Sequence, residues 1–220
     1  MNSDRNPELH VFENGSYRID AFGKKSTVEV KDLPAPVTLD KAWKVQFDAT
    51  YGFDKTLDFD QLTDWKDHQL EAVRHYSGSA VYSTTFTMPK TASKQIVELD
   101  LGNVAVAATV TLNGEELGTV WKKPYRLDIS DALRAGENRL SLKVANLWSN
   151  RLIGDEQYAD KAGVIRQKVM PEWYTNNQPQ PDSQRFSFCA FKFYEKDDSL
   201  LPSGLLGPVR LIVSKKISVR

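Results

Sequence analysis

With 220 residues, 40% of them hydrophobic and 26% charged, the chain is long enough for one large domain, or one domain plus an extra piece, with a sizeable core. Its 29 lysines and arginines equal its 29 acidic residues. That balance lacks the basic excess that phosphate backbones demand, which argues against a nucleic-acid partner, and no window of about 18 apolar residues suggests a membrane span.

The start, MNSDRNPELH, is polar and has no apolar signal-peptide core, so the signal of an exported protein is expected upstream of it. Residues 8–33 predict a hairpin around Gly23-Lys24, with Tyr17, Ile19, Val28 and Val30 at alternating positions. The stiff Pro34-Ala35-Pro36 that follows sets a boundary between residues 1–35 and a main domain over 36–220. Beyond it the dominant period is two. Trp43, Val45 and Phe47 share one face of AWKVQFDA, and Tyr82, Phe86 and Met88 share one face of AVYSTTFTM. VAVAATVTL reads as one strand, with Val104, Val106, Ala108, Val110 and Leu112 on one side. Asn113-Gly114 then gives a strong hairpin signal, because both residues tolerate positive φ. ISDALRAGEN predicts a single helical turn, capped by Ser130 and ended by Gly136. Leu140, Leu142 and Val144 alternate in the next strand. Residues 149–184 are long, polar and irregular, a loop of the kind that is either functional or disordered. RFSFCAFKF and PVRLIV predict two last strands. The single cysteine, Cys189, has no partner for a disulfide or a zinc site and is expected as a small buried hydrophobe. Many short strands with turns between them mean an all-β sandwich or barrel with long loops and at most short helical turns.

Four stretches carry a more specific signal: HYSGSAVYSTTF (75–86), LDLGNVAVAATVTLNGEELGTVWKKPYRLDIS (99–130), LRAGENRLSLKVANLWSNRLIGDE (133–156) and LPSGLLGPVRL (201–211). In this order they resemble the jelly-roll, galactose-binding-like domain of glycoside hydrolase family 2, and more closely the related domain of large bacterial α-L-rhamnosidase-type enzymes. The resemblance implies an antiparallel jelly-roll β-sandwich beside a catalytic (β/α)-barrel that carries the two carboxylates. It implies that residues 1–35 are a hairpin left from a preceding β-domain plus a linker, and that the parent enzyme is periplasmic or secreted. Nothing in this chain alternates strands with 10–15-residue helices as a barrel would.

Independent hydrolysis would need two carboxyl groups about 5–9.5 Å apart. Asp155-Glu156 is the most tempting local pair, but neighbours on a strand point to opposite faces. No GxSxG motif is present, and His10, His68 and His75 have no HExxH spacing. Asp58, Asp60 and Asp64 in LDFDQLTD could hold calcium, but they lack the glycine and closing glutamate of an EF-hand loop, and solvated loop acids are the default. No cofactor is expected beyond that minor calcium option. The candidate carbohydrate-binding residues are Trp121, Tyr125, Trp148, Asn150, Arg151 and Asp155, with Trp173 and Tyr174 in the irregular segment. Aromatic rings stack on the C–H faces of sugars, and amide, guanidinium and carboxylate groups bond their hydroxyls. The competing reading makes Trp43 and Trp148 core aromatics and Arg151–Asp155 an internal ion pair holding the long loop. The expectation is a non-catalytic ancillary domain of a multidomain glycosidase, partnered by the parent's catalytic barrel and by a plant or host glycan. The alternatives are an autonomous carbohydrate-binding module and an adhesion sandwich.

Overall fold

The computed structural model describes residues 8–49, 52–89, 96–159, 170–181, 184–187 and 191–218. Cys189 lies outside them. In chain order the strands are β1 (Glu8–Val11), β2 (Gly15–Ala21), β3 (Lys24–Val30), β4 (Val37–Thr38), β5 (Trp43–Phe47), β6 (Thr56–Phe59), β7 (Ser79–Met88), β8 (Ile96–Asp100), β9 (Asn103–Ala105), β10 (Ala107–Leu112), β11 (Glu115–Val120), β12 (Arg126–Asp128), β13 (Gly136–Ala145), β14 (Gly204–Gly207) and β15 (Arg210–Ser218). Among the described residues, α1 (Glu71–Arg74), α2 (Ser149–Asp155) and α3 (Glu172–Thr175) are short α-helices, and Trp65–Asp67 forms a 3-10 turn.

Two antiparallel sheets face each other. One has six strands in the order β11-β10-β13-β7-β5-β6; in the other β15 is flanked by β1 and β4 on one side and by β8 and β12 on the other. The alternating residues read from the sequence line the space between them. Trp43, Val45, Phe47, Tyr82, Val110, Leu112, Leu140 and Leu142 come from the first sheet, and Val97, Leu99 and Leu211 from the second. Each large side chain so buried stabilises by about 1.5–3 kcal/mol. The polar groups of Trp65 and Tyr82 inside this core are partnered. The Trp65 indole Nε1 donates to the Tyr82 hydroxyl at 2.6 Å, which also accepts from the Leu205 amide at 3.2 Å. Burial pushes that hydroxyl well above the usual tyrosine range. Gly204 makes this arrangement fit: at φ 86°, a Cβ there would lie 2.6 Å from the Trp65 ring.

The Asn113-Gly114 hairpin forms as its sequence requires, with φ of 54° and 88°. Asn113 does more than turn. Its Nδ2 donates to Asn138 Oδ1 and to the Ala132 carbonyl, both at 2.9 Å. Four local readings change. VAVAATVTL is two strands, β9 and β10, broken at Val106, because the chain leaves the β14 partner there to enter the six-stranded sheet. ISDALRAGEN is a hydrogen-bonded turn and not a helix; Ser130 Oγ accepts from the Val97 amide at 2.9 Å, and Gly136 opens β13. RFSFCAFKF contains no strand over its described residues, for a reason given below. The hairpin of residues 8–33 turns at Phe22-Gly23, one residue earlier than expected.

That hairpin, β2–β3, is a two-stranded sheet of its own. Val30, Tyr17, Ile19 and Val28 pack with Val11, Leu33 and Ile217 in a small second core. The segment before it joins the sandwich. β1 pairs with the end of β15, and the Phe12 ring lies 5.4 Å from the Arg126 guanidinium on β12.

Candidate functional site

The register of the six-stranded sheet brings several chain ends to one rim. Val120 lies opposite Ala108, Ala107 opposite Ala145, Ala145 opposite Ser79, and Ala80 opposite Phe47. Trp121 leaves β11 at this rim, Val106 enters β10 there, and Leu147 and Trp148 follow the end of β13. All four are exposed. Trp121 and Trp148, far apart in sequence, therefore both follow strands that end at this rim, β11 and β13, with β10 between those strands. Trp121 is 67% and Trp148 51% exposed. Tyr125 behaves differently. It is half-buried against the main core, and its carbonyl accepts from the Leu101 amide at 2.9 Å.

Trp148 is followed by α2, which is where the structure places the other candidates. Asn150, Arg151 and Asp155 turn inward and are spent on the protein. The Asn150 side chain makes two 2.8 Å hydrogen bonds to the backbone of Leu201, one as donor and one as acceptor. Helical spacing puts Arg151 and Asp155 on one face, and they form a buried ion pair at 2.9 Å. The second Asp155 oxygen accepts from the amides of Phe186 (3.1 Å) and Ser187 (2.7 Å) and from the Ser187 hydroxyl. Glu156 pairs with Arg185 at 2.6 Å, and Arg185 also donates to the Tyr158 carbonyl at 2.9 Å. The Tyr194 hydroxyl reaches Ser149 Oγ at 3.1 Å. Asp155 thus takes backbone donors that a strand in RFSFCAFKF would have offered a neighbour. The segment's residues 185–187 and Lys192, and the following Tyr194, are tied to α2 and Glu156 instead, and Phe186, Phe191 and Phe193 stay exposed.

His75 closes the underside of this helix. It is buried, and it sits 3.8 Å from Glu71 Oε1. Gly154 presses on it so closely that a Cβ would lie 2.5 Å from its Cγ. Burial, followed by the nearby Arg151 guanidinium, holds the imidazole below the ordinary histidine value against an opposing pull from Glu71.

Chemically, this rim has an aromatic surface above a buried ionic frame. Asp155 and Glu156 are not an open carboxylate pair, since the first is sealed beneath Ser187 and the second is held by Arg185. In the LDFDQLTD loop, Asp58 pairs with Lys44 at 3.2 Å, while Asp64 accepts from the amides of Lys66 and Ser203. Among the described residues no three His, Cys, Asp or Glu side chains gather as metal ligands. The sequence reading missed Arg185, Ser187 and the three exposed phenylalanines. The one available signal, the alternating aromatics of RFSFCAFKF, pointed to a strand.

A two-sheet jelly roll with its aromatic groups gathered on loops at one rim defines a galactose-binding-like module. The family of glycosyl hydrolase 2 galactose-binding domain-like domains matches residues 42–181, and the chain belongs to it. It is 43% identical over 197 residues to a putative beta-glucuronidase of Formosa agariphila, covering 87% of this chain and 17% of that protein. A beta-galactosidase of Clostridium acetobutylicum is 26% identical over 178 residues, with 75% and 19% covered. Among solved structures, the rhamnosidase from Novosphingobium sp. PP1Y superposes with a TM-score of 0.69 at 36% identity, covering 86% of this chain and 16% of that one. The chain thus spans less than a fifth of the length of these relatives.

Proposed function

We propose that the chain is a non-catalytic ancillary domain of a larger glycoside hydrolase of the rhamnosidase or glucuronidase kind, and that it braces the catalytic barrel through its aromatic rim. The observation that carries this reading is the surface of Phe186, Phe191, Phe193 and Leu201, exposed yet held by buried pairs beneath it. Folded chains rarely leave such an apolar patch uncovered, and the centres of protein interfaces favour aromatic residues. The use of Asp155 and Glu156 as internal ties supports a non-catalytic role, and the names of the relatives supply the parent's class.

The test is the double substitution Phe191→Asp/Phe193→Asp, made in both the parent enzyme and the 220-residue chain. The parent is expected to lose activity and to become easier to cleave between domains. The isolated chain is expected to keep its melting temperature, because both rings already face water. A parent variant as active and as protease-resistant as the wild type would overturn the proposal.

A further inference from the structure

The rim has a second half with a different chemistry. We infer that the loop of residues 121–125, between β11 and β12, is a stacking site for an anionic pyranose, one bearing a carboxylate or a sulfate.

The loop is short and anchored at both ends. Val120 is buried and paired with Ala108, and Tyr125 packs on the core. Trp121 stands between these anchors with two-thirds of its surface in water, so the indole face away from Lys122 is available without rearrangement of the backbone. Lys122 Nζ lies 5.8 Å from the centre of that ring. Lys122 and Lys123 are both exposed, and neither has an acidic partner among the described residues. Lys24, Lys41, Lys55, Lys143, Lys196 and Lys215 likewise have none; what distinguishes Lys122 is its place over an exposed indole ring. The neighbouring Arg126 is committed to Asp100 at 2.9 Å. Val106, Leu147 and Trp148, beside the ends of the neighbouring strands, are exposed as well.

An exposed aromatic ring with one uncompensated ammonium group beside it, and a second exposed lysine next in the chain, matches a specific ligand. The ring takes the C–H face of a pyranose, and the ammonium groups take its anionic substituent through charge-assisted hydrogen bonds. A neutral sugar would use only the ring. A protein partner fits less well, because interface cores are depleted in lysine. The phenylalanine half of the rim has the opposite character: Lys192 there is tied to Glu156 and Glu195. This site rests on the glycoside-hydrolase reading for the class of its ligand. It uses residues other than the proposed docking face, so either idea can fail alone.

The experiment is a 1H–15N NMR titration of the 220-residue chain, with the Trp121 indole signal assigned by its loss in Trp121→Phe. Three disaccharide probes are compared: one ending in glucuronic acid, its carboxyl-reduced neutral counterpart, and a 6-sulfated counterpart. At least one anionic probe is expected to shift the Trp121 indole and the Lys122 and Lys123 amides, with weak affinity that falls as salt is added. Which of the two binds more tightly tells carboxylate from sulfate. The neutral probe and the Lys122→Ala/Lys123→Ala variant are each expected to bind about tenfold more weakly. Trp121→Ala is expected to lose at least about fivefold, and Phe191→Ala/Phe193→Ala to bind as the wild type does. The inference is overturned if no anionic probe shifts Trp121, if the neutral probe binds equally well, or if Trp121→Ala binds unchanged.

Discussion

Asp155 is fully buried and answers to four groups at once: the Arg151 guanidinium, the amides of Phe186 and Ser187, and the Ser187 hydroxyl. Removing it would leave the Arg151 charge buried beside the Phe186 ring with nothing to balance it. Asp155→Ala is therefore expected to lower the unfolding free energy by about 3–5 kcal/mol, as read from urea denaturation. A loss below about 1 kcal/mol would mean that the pair does not hold the loop. His75 gives this region a pH dependence. Its proton affinity is lower in the folded chain than in the unfolded one, so its contribution is complete above the ordinary histidine value and is lost as pH falls through the folded value. Glu71 and Arg74 face it from its own helix, and Arg151 and Asp155 from α2. Melting temperatures taken from about pH 8 to about pH 4 should fall more steeply for the wild type than for His75→Gln. Parallel curves would remove His75 from the account. An i,i+4 Arg–Asp pair was legible in NRLIGDE as a structural option beside the sugar-binding one. The choice between them needed the burial of α2, which is a property of the packed chain.

Among the elements, the β2–β3 hairpin and β1 bear differently on the sandwich. The hairpin has its own sheet and meets the rest through Val11, Leu33 and Ile217. β1 lengthens a sandwich sheet, and His10 approaches Glu98 on β8 at 3.9 Å. A lone hairpin is marginal in water, so its order comes from that small cluster. A chain starting near Leu33 should still unfold cooperatively, because the main core contains none of the removed residues. It should lose about 2–3 kcal/mol, the burial of Ile217. Loss of a cooperative transition would place residues 8–33 in the sandwich core and move the boundary expected at Pro34-Ala35-Pro36.

For the whole molecule, the buried state of Asp155 and the ion-paired state of Glu156 predict that the 220-residue chain turns over no aryl α-L-rhamnoside, β-glucuronide or β-galactoside. Turnover that survives repurification and disappears in Glu156→Gln would contradict the non-catalytic reading.

The sequence by itself determined strands such as β5, β7 and β13, most of their inward residues and the Asn113-Gly114 turn. These are local properties: side chains alternate with a period of two along any extended chain, and a turn needs only its own φ angles. Tertiary structure decided everything that depends on which strand lies beside which. The order β11-β10-β13 brings Trp121 to the rim that Trp148 also occupies, and no pattern along the chain encodes that order. It also decided that Phe186, Phe191 and Phe193 form a surface and not part of a strand. A strand needs a free neighbouring edge for its amides, and Asp155, from a different part of the chain, had already taken two of them.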